Sequence, residues 1–146
     1  MFKIPLIRIW QMRSVLARAT STKGTARQFI KTNAGRVEAL MVDIHTWFDS
    51  FGEEYGFEYS NQGDGRWSLS GLEGDGAVAF QNFLVDQWRD FEPYAVTEDV
   101  LIDVDGITIE DEPVLAPLYL ENQEAFIKAD KERATPEAEE PNAKEE

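Results

Sequence analysis

His45, the only histidine in the sequence, is the residue of this chain best suited to act as a general base near neutral pH. On a helix it would lie one turn before Asp49, a carboxylate that could orient the imidazole as a general base. The chain has no cysteine and no second histidine, so nucleophile–base pairs and His/Cys metal sites lack their usual partners. We therefore predict a protein that is not an enzyme, with no catalytic residue, no metal ligand and no cofactor.

Three glycine-containing acidic stretches have some likeness to ligand-binding loops. Residues 103–106 read Asp-Val-Asp-Gly, as at the start of a calcium loop, but Ile107 and its neighbours lack the alternating ligands that such a loop needs. Residues 63–65 and 74–76 both read Gly-Asp-Gly, which is typical of turns. The chain contains no Walker or dinucleotide-binding glycine motif. These stretches predict turns and no cofactor.

Charge is distributed unevenly along the chain, whose formal net charge is −14. Residues 1–36 hold eight bases and no acid, residues 37–127 hold 21 acids and two bases, and residues 128–146 hold seven acids and four bases. Such asymmetry is informative about partners and says little about fold. We predict three parts: a basic arm or targeting segment over 1–24, an acidic domain over 25–127, and a tail.

The basic N-terminal segment has three explanations. It could be an ordinary strand or helix docked on the acidic domain, or an arm that binds nucleic acid or an acidic protein surface. Its lack of acids and its many Arg, Ser and Thr residues also fit a mitochondrial transit peptide, which would place the protein in the matrix. Contact with nucleic acid is expected only through residues 1–36. The cations assigned to partner binding are Lys3, Arg8, Arg13, Arg18, Lys23, Arg27, Lys31 and Arg36.

The C-terminal residues 128–146 contain no aromatic or large aliphatic side chain. They cannot bury enough apolar surface to offset the entropy of ordering, so we expect a disordered acidic tail beyond a short helical start. Nowhere does the chain approach the roughly 20 consecutive apolar residues of a transmembrane helix. We therefore expect no membrane span.

Apolar spacing predicts two helices with a third, shorter one. Residues 37–51 carry apolar side chains at helical spacing. Gly35 could bound the start of this helix, or the helix could run through Gly35 from about Thr25 at some cost, and Gly52 is expected to end it. A second helix starts near Asp75 and ends before Pro93, with apolar residues up to Phe91 on its inner side. A last short helix is expected within 118–127.

Two pairs of short alternating segments predict β-hairpins. Residues 55–60 and 66–70 flank a five-residue loop, and 100–104 and 107–110 flank Asp105-Gly106, a strong hairpin signal. The fold class is therefore α+β: a small, mostly antiparallel sheet of two hairpins packed against two or three helices. The repeated order of helix and hairpin also suggests an internal duplication.

The function that we expect is a protein-interaction role, as an assembly or adaptor subunit that uses a basic arm and an acidic body. Such a protein would be intracellular or virion-associated, suit a phage or mobile element, and could form a homo-oligomer. An alternative is an acidic inhibitor that imitates nucleic acid and blocks a DNA- or RNA-binding host protein; an imported mitochondrial accessory protein is a further alternative. The acids assigned to partner binding are Glu53, Glu54, Glu58, Asp64, Asp86 and Asp90.

Overall fold

The chain begins with a strand and a helix whose apolar side chains point inward in the computed structural model, which describes residues 1–63 and 65–134. Strand β1 (Phe2–Pro5) buries alternate residues, and helix α1 (Leu6–Arg18) buries five apolar residues at spacings of three, one or four. The basic segment is therefore part of the same core as the acidic domain, not an arm separate from it. Its apolar positions follow the periods of a strand and a helix, and their burial fixes it in place.

Helix α2 (Gly24–Tyr55) is the predicted first helix; it begins near Thr25, the earlier of the two starts considered, and extends past its expected end. It continues through Gly52, the expected stop, and ends at Gly56, which adopts the left-handed conformation with φ of 77°. The buried residues form one face of the helix. They are Ala26, Phe29, Ile30, Asn33, Val37, Met41, Ile44, Trp47 and Phe48.

The first predicted hairpin is confirmed. Strands β2 (Glu58–Gly63) and β3 (Arg66–Ser70) pair antiparallel, with Glu58 opposite Ser70. Alternate residues of the two strands pack against the core, as the alternation of strand side chains requires; they are Tyr59, Trp67 and Leu69. The hairpin therefore has one face on α2 and α1.

The second predicted helix is shorter than expected. Helix α3 (Asp75–Asp86) is followed by strand β4 (Trp88–Phe91), which pairs antiparallel with β1 and places Phe91 opposite Phe2. The apolar residues at the end of the expected helix thus belong to a strand. Pairing with a segment more than 80 residues away overrides the local helical pattern.

The second predicted hairpin does not form. Six of the nine predicted strand residues lie instead in two 3-10 turns, Glu98–Asp103 and Ile109–Asp111. Asp105 instead exchanges backbone hydrogen bonds with Thr20, at N···O distances of 2.8 and 2.9 Å. The Asp-Gly turn is therefore used for contact with the end of α1. The predicted α+β class is confirmed, with small antiparallel sheets packed against helices. The described chain has two separate two-stranded sheets, β1–β4 and β2–β3, where a single sheet was expected.

The last helix, α4 (Gln123–Ala134), lies further along the chain than predicted and includes the beginning of the expected tail. Phe126 of α4 stacks on Phe2 with ring centroids 5.0 Å apart, which holds the helix against β1. The rest of that tail, residues 135–146, lies outside the described residues. The suggested duplication also fails, because the second of its two hairpins does not form.

Aromatic rings fill the centre of the fold, where α1, α2, α3 and the hairpin meet. Phe80 of α3 lies within 5.2 Å, between ring centroids, of Trp10, Trp47 and Phe48, and Trp67 of the hairpin lies 5.9 Å from Trp10. These offset and edge-to-face contacts, together with burial, join the helices to the hairpin. Across the described ranges, no helix combines the length and the hydropathy needed to cross a membrane.

Candidate partner-binding groove

Three of the eight N-terminal cations form ion pairs within the protein. Lys3 Nζ lies 3.0 Å from Asp90 Oδ1, and Arg13 Nε lies 2.7 Å from Glu38 Oε2. Arg18 makes a two-pronged pair with Asp111, with both N···O distances 3.1 Å. These cations therefore meet carboxylates of their own chain.

Two further cations bind backbone carbonyls. Arg8 donates to the carbonyl of Pro113 at 3.0 Å, and Arg36 donates to the carbonyl of Glu92 at 2.8 Å. The remaining three are exposed on successive turns at the start of α2, and their charged side-chain groups form no hydrogen bond or ion pair with the described residues; they are Lys23, Arg27 and Lys31. Most of the predicted basic binding surface is thus engaged within the fold.

A groove of about 480 Å³ lies between the C-terminal half of α2 and the β2–β3 hairpin, and we call it the α2–hairpin groove. Residues 49, 52 and 53 share one side of α2 because they are three and four positions apart. Alternate residues of the paired strands share one face of the hairpin. The groove is lined by Phe48, Asp49, Gly52, Glu53, Phe57, Glu58, Tyr59, Ser60, Ser68 and Ser70.

The lining of the groove combines negative charge with an aromatic floor. Asp49, Glu53 and Glu58 are exposed, and none of the lining residues is a lysine or arginine. Phe48 and Phe57 are buried below them, and the serines add hydroxyl donors and acceptors. Carboxylates attract cations, and apolar side chains beneath them can pack against the alkyl stem of a long basic side chain. This chemistry suits a lysine or arginine side chain.

His45 and Tyr59 join α2 to the hairpin beside the groove. Tyr59 Oη and His45 Nδ1 are hydrogen-bonded, and the imidazole lies edge-on to Trp67 with ring centroids 5.4 Å apart. Burial lowers the pKa of His45, and the nearby Arg13 lowers it further, while Glu38 and Asp49 raise it. The neutral imidazole is therefore favoured in the folded protein, where it holds one wall of the groove in place.

Two of the six acids predicted to bind a partner line this groove. Glu53 and Glu58 line it and Glu54 lies exposed beside them, but Asp90 is paired with Lys3 outside it. The other two predicted acids do not contribute to the described site: Asp86 is the last residue of α3, and Asp64 lies outside the described residues. Asp49 was considered only as a partner of His45, although its spacing from Glu53 on α2 could have placed it here.

Neither a metal centre nor a known relative explains the groove. In residues 1–63 and 65–134, no group of three or more His, Cys, Asp or Glu side chains is placed to hold a metal ion. Comparison of the chain with models of protein families, with curated proteins and with solved structures finds no significant match. The functional argument therefore depends on the geometry and charge of the groove.

Proposed function

We propose that this protein is a non-enzymatic interaction module that binds a basic segment of a partner protein in the α2–hairpin groove. The observation that carries the proposal is the separation of charge in the folded chain. Five of the eight N-terminal cations contact acids or carbonyls elsewhere in the fold, whereas the three carboxylates of the groove have no cation among its lining residues.

The partner's chemistry follows from the lining. Exposed carboxylates of one sign raise the local concentration of cations and speed the association of a basic partner. The aromatic floor and the serine hydroxyls add contacts to the stem and head of a lysine or arginine side chain. A segment with Lys or Arg at alternate positions would match the two-residue period of the hairpin face.

An adaptor role is supported by a second charged surface of opposite sign. Lys23, Arg27 and Lys31 are exposed at the start of α2, and the groove lies near its end. A helix of 32 residues separates these surfaces by several turns. The protein could therefore hold an acidic partner or nucleic acid at one end and a basic segment at the other, as an assembly subunit would.

A matched pair of variants tests the proposal. The probe is a hydrophilic peptide of alternating Arg and Gly, titrated into the full chain by calorimetry at low and high salt. Glu53→Gln/Glu58→Gln removes two groove charges, and Glu92→Gln/Glu124→Gln removes two exposed charges outside it. We expect salt-sensitive binding that weakens about tenfold only in the groove variant. Equal weakening in both variants would show binding to net charge alone and would contradict the proposal.

Imitation of nucleic acid is a second candidate function, and the ion pairing of N-terminal cations within the chain favours it. Eight free cations would repel the basic site that such an inhibitor must occupy, but three of them are paired with carboxylates of the same chain. The inhibitor predicts that duplex DNA displaces the protein from its bound partner. Partner binding that is unchanged by excess duplex DNA would rule this function out and leave the peptide-binding module standing.

A further inference from the structure

Residues 98–112, which we call the 98–112 surface, expose apolar side chains around a shallow cavity. Ile102 is 84% exposed and Ile109 is 76% exposed, the two highest values among the exposed large apolar side chains of the described chain. Scattered exposed apolar residues are ordinary, but these two border one cavity of about 290 Å³ together with Leu101 and Ile107. Two highly exposed isoleucines at one cavity are therefore a candidate interaction surface.

Acids are the only charged residues of this segment itself. Residues 98–112 contain seven Asp and Glu and no Lys or Arg. Glu98 and Glu112 border both the 290 Å³ cavity and an adjoining one of about 420 Å³, which extends to Tyr119. Asp111 is neutralised by Arg18. The surface therefore presents an apolar floor within a negative rim.

The 98–112 surface is held in shape although it has no long helix or strand. Asp105 and Thr20 exchange two backbone hydrogen bonds, and Arg18 pairs with Asp111 and donates to the carbonyl of Gly106. A capping box between Thr108 and Asp111 fixes the second 3-10 turn. The isoleucines are thus presented on an anchored backbone, which lowers the entropy cost of binding a partner.

We infer that the 98–112 surface is a second docking site, and that it takes a basic amphipathic segment of a partner protein. Charge complementarity selects this occupant: its apolar side chains would cover Ile102 and Ile109 while flanking Lys or Arg residues meet Glu98 and Glu112. Nucleic acid and anionic lipid are repelled by the rim.

Other parts of this chain fit the 98–112 surface less well. Residues 135–146 carry five acids and one lysine, so their charge has the wrong sign. A second copy could offer Lys23, Arg27 and Lys31, but the exposed residues between them, Gly24, Thr25 and Gln28, supply no apolar anchor. A separate partner that combines both chemistries is therefore the better match.

Two peptides and two double variants of the full chain test this inference. Both peptides have roughly 18 residues and equal positive charge, but one carries leucines along a helical face and the other carries serines there. We expect the leucine peptide to bind more tightly, and Ile102→Ser/Ile109→Ser to weaken it about tenfold. Val42→Ser/Val78→Ser, which changes exposed valines at 59% and 61%, is the control and should leave binding unchanged.

Three outcomes would overturn the inference. The first is equal binding of the two peptides. The second is equal binding of the leucine peptide by the isoleucine variant and the unaltered protein. The third is a dimer that becomes monomeric only in the isoleucine variant, because this face would then be an interface between copies. Amide NMR shifts of the unaltered protein provide a test that needs no variant: the leucine peptide should perturb residues 98–119 most. Glu53→Gln/Glu58→Gln should leave those shifts in place, which separates this site from the α2–hairpin groove.

Discussion

Asn33 and Tyr94 are joined by two hydrogen bonds that connect the middle of α2 to the chain after β4. The side-chain amide of Asn33 donates to the carbonyl of Tyr94 at 3.0 Å, and the backbone N–H of Tyr94 donates to Asn33 Oδ1 at 2.9 Å. Asn33 is fully buried and also donates to the carbonyl of Phe29. A buried amide with every polar atom satisfied fixes one arrangement of the surrounding chain.

Asn33→Ala should therefore be strongly destabilising. It leaves the N–H and carbonyl of Tyr94 without their partner, and each buried unsatisfied group costs about 1–3 kcal/mol. Chemical denaturation should show a loss of about 3 kcal/mol in the free energy of unfolding. Asn82→Ala, at an exposed position of α3, is the control and should change stability little. Equal effects of the two substitutions would refute the structural role of Asn33.

Gly106 should not tolerate a side chain. Its φ is +92°, and a Cβ there would lie 2.1 Å from the carbonyl oxygen of Arg18. Gly65 has a φ of +75° with no atom near its added Cβ, so Gly65→Ala carries only the conformational cost, about 1 kcal/mol. Gly106→Ala should cost more and should speed amide hydrogen exchange at Thr20 and Asp105. Slow exchange at both amides in Gly106→Ala would mean that the close approach is wrong.

His45 should make stability depend on pH near neutrality. Burial lowers its pKa in the folded protein, so as pH falls through about 6.5 the unfolded chain takes up the proton first and stability decreases. Above that pH the residue has no such effect. Denaturation between about pH 7.5 and 5.5 should show this decrease in the natural protein and a smaller one in His45→Gln. The same slope in both proteins would assign the pH dependence to other groups.

The sequence predicted elements whose side chains repeat locally, and it could not predict contacts made over long distances. The apolar spacing of Ile44, Trp47 and Phe48 indicated α2, and alternation around residues 58–70 indicated the hairpin. Nothing near Trp88 in sequence shows that it pairs with β1, so the end of the second helix was misplaced. Asp105-Gly106 predicted a hairpin for the same reason, because the sequence does not show that this turn contacts the end of α1.

The candidate groove itself could not be predicted from the sequence, although two of its lining residues were among the acids assigned to partner binding. Glu53 and Glu58 were selected as exposed acids of the body, and both line the groove. The hydrogen bond between His45 and Tyr59, which lie 14 residues apart on different elements, depends on how the hairpin packs against α2. The ion pair between Lys3 and Asp90 depends on the pairing of β1 with β4. Because the sequence did not predict that pairing, it could not predict the ion pair.

Ile9 tests whether the N-terminal segment is part of the fold. It is fully buried on α1, so Ile9→Ala should lower the free energy of unfolding by about 2–5 kcal/mol. Gln11→Ala, on the exposed side of the same helix, should have little effect. A stability unchanged by Ile9→Ala would instead indicate an arm that contributes nothing to the core.

Amide NMR mapping of the alternating Arg–Gly peptide tests the central claim most directly, because it locates the peptide on the unaltered protein. We predict that the largest shifts fall in residues 48–60 and 68–70, around the α2–hairpin groove, and that they diminish at high salt. Glu53→Gln/Glu58→Gln should reduce these shifts, and Glu92→Gln/Glu124→Gln should leave them unchanged. Shifts spread over all acidic surfaces, or absent from the groove, would contradict the proposed interaction module.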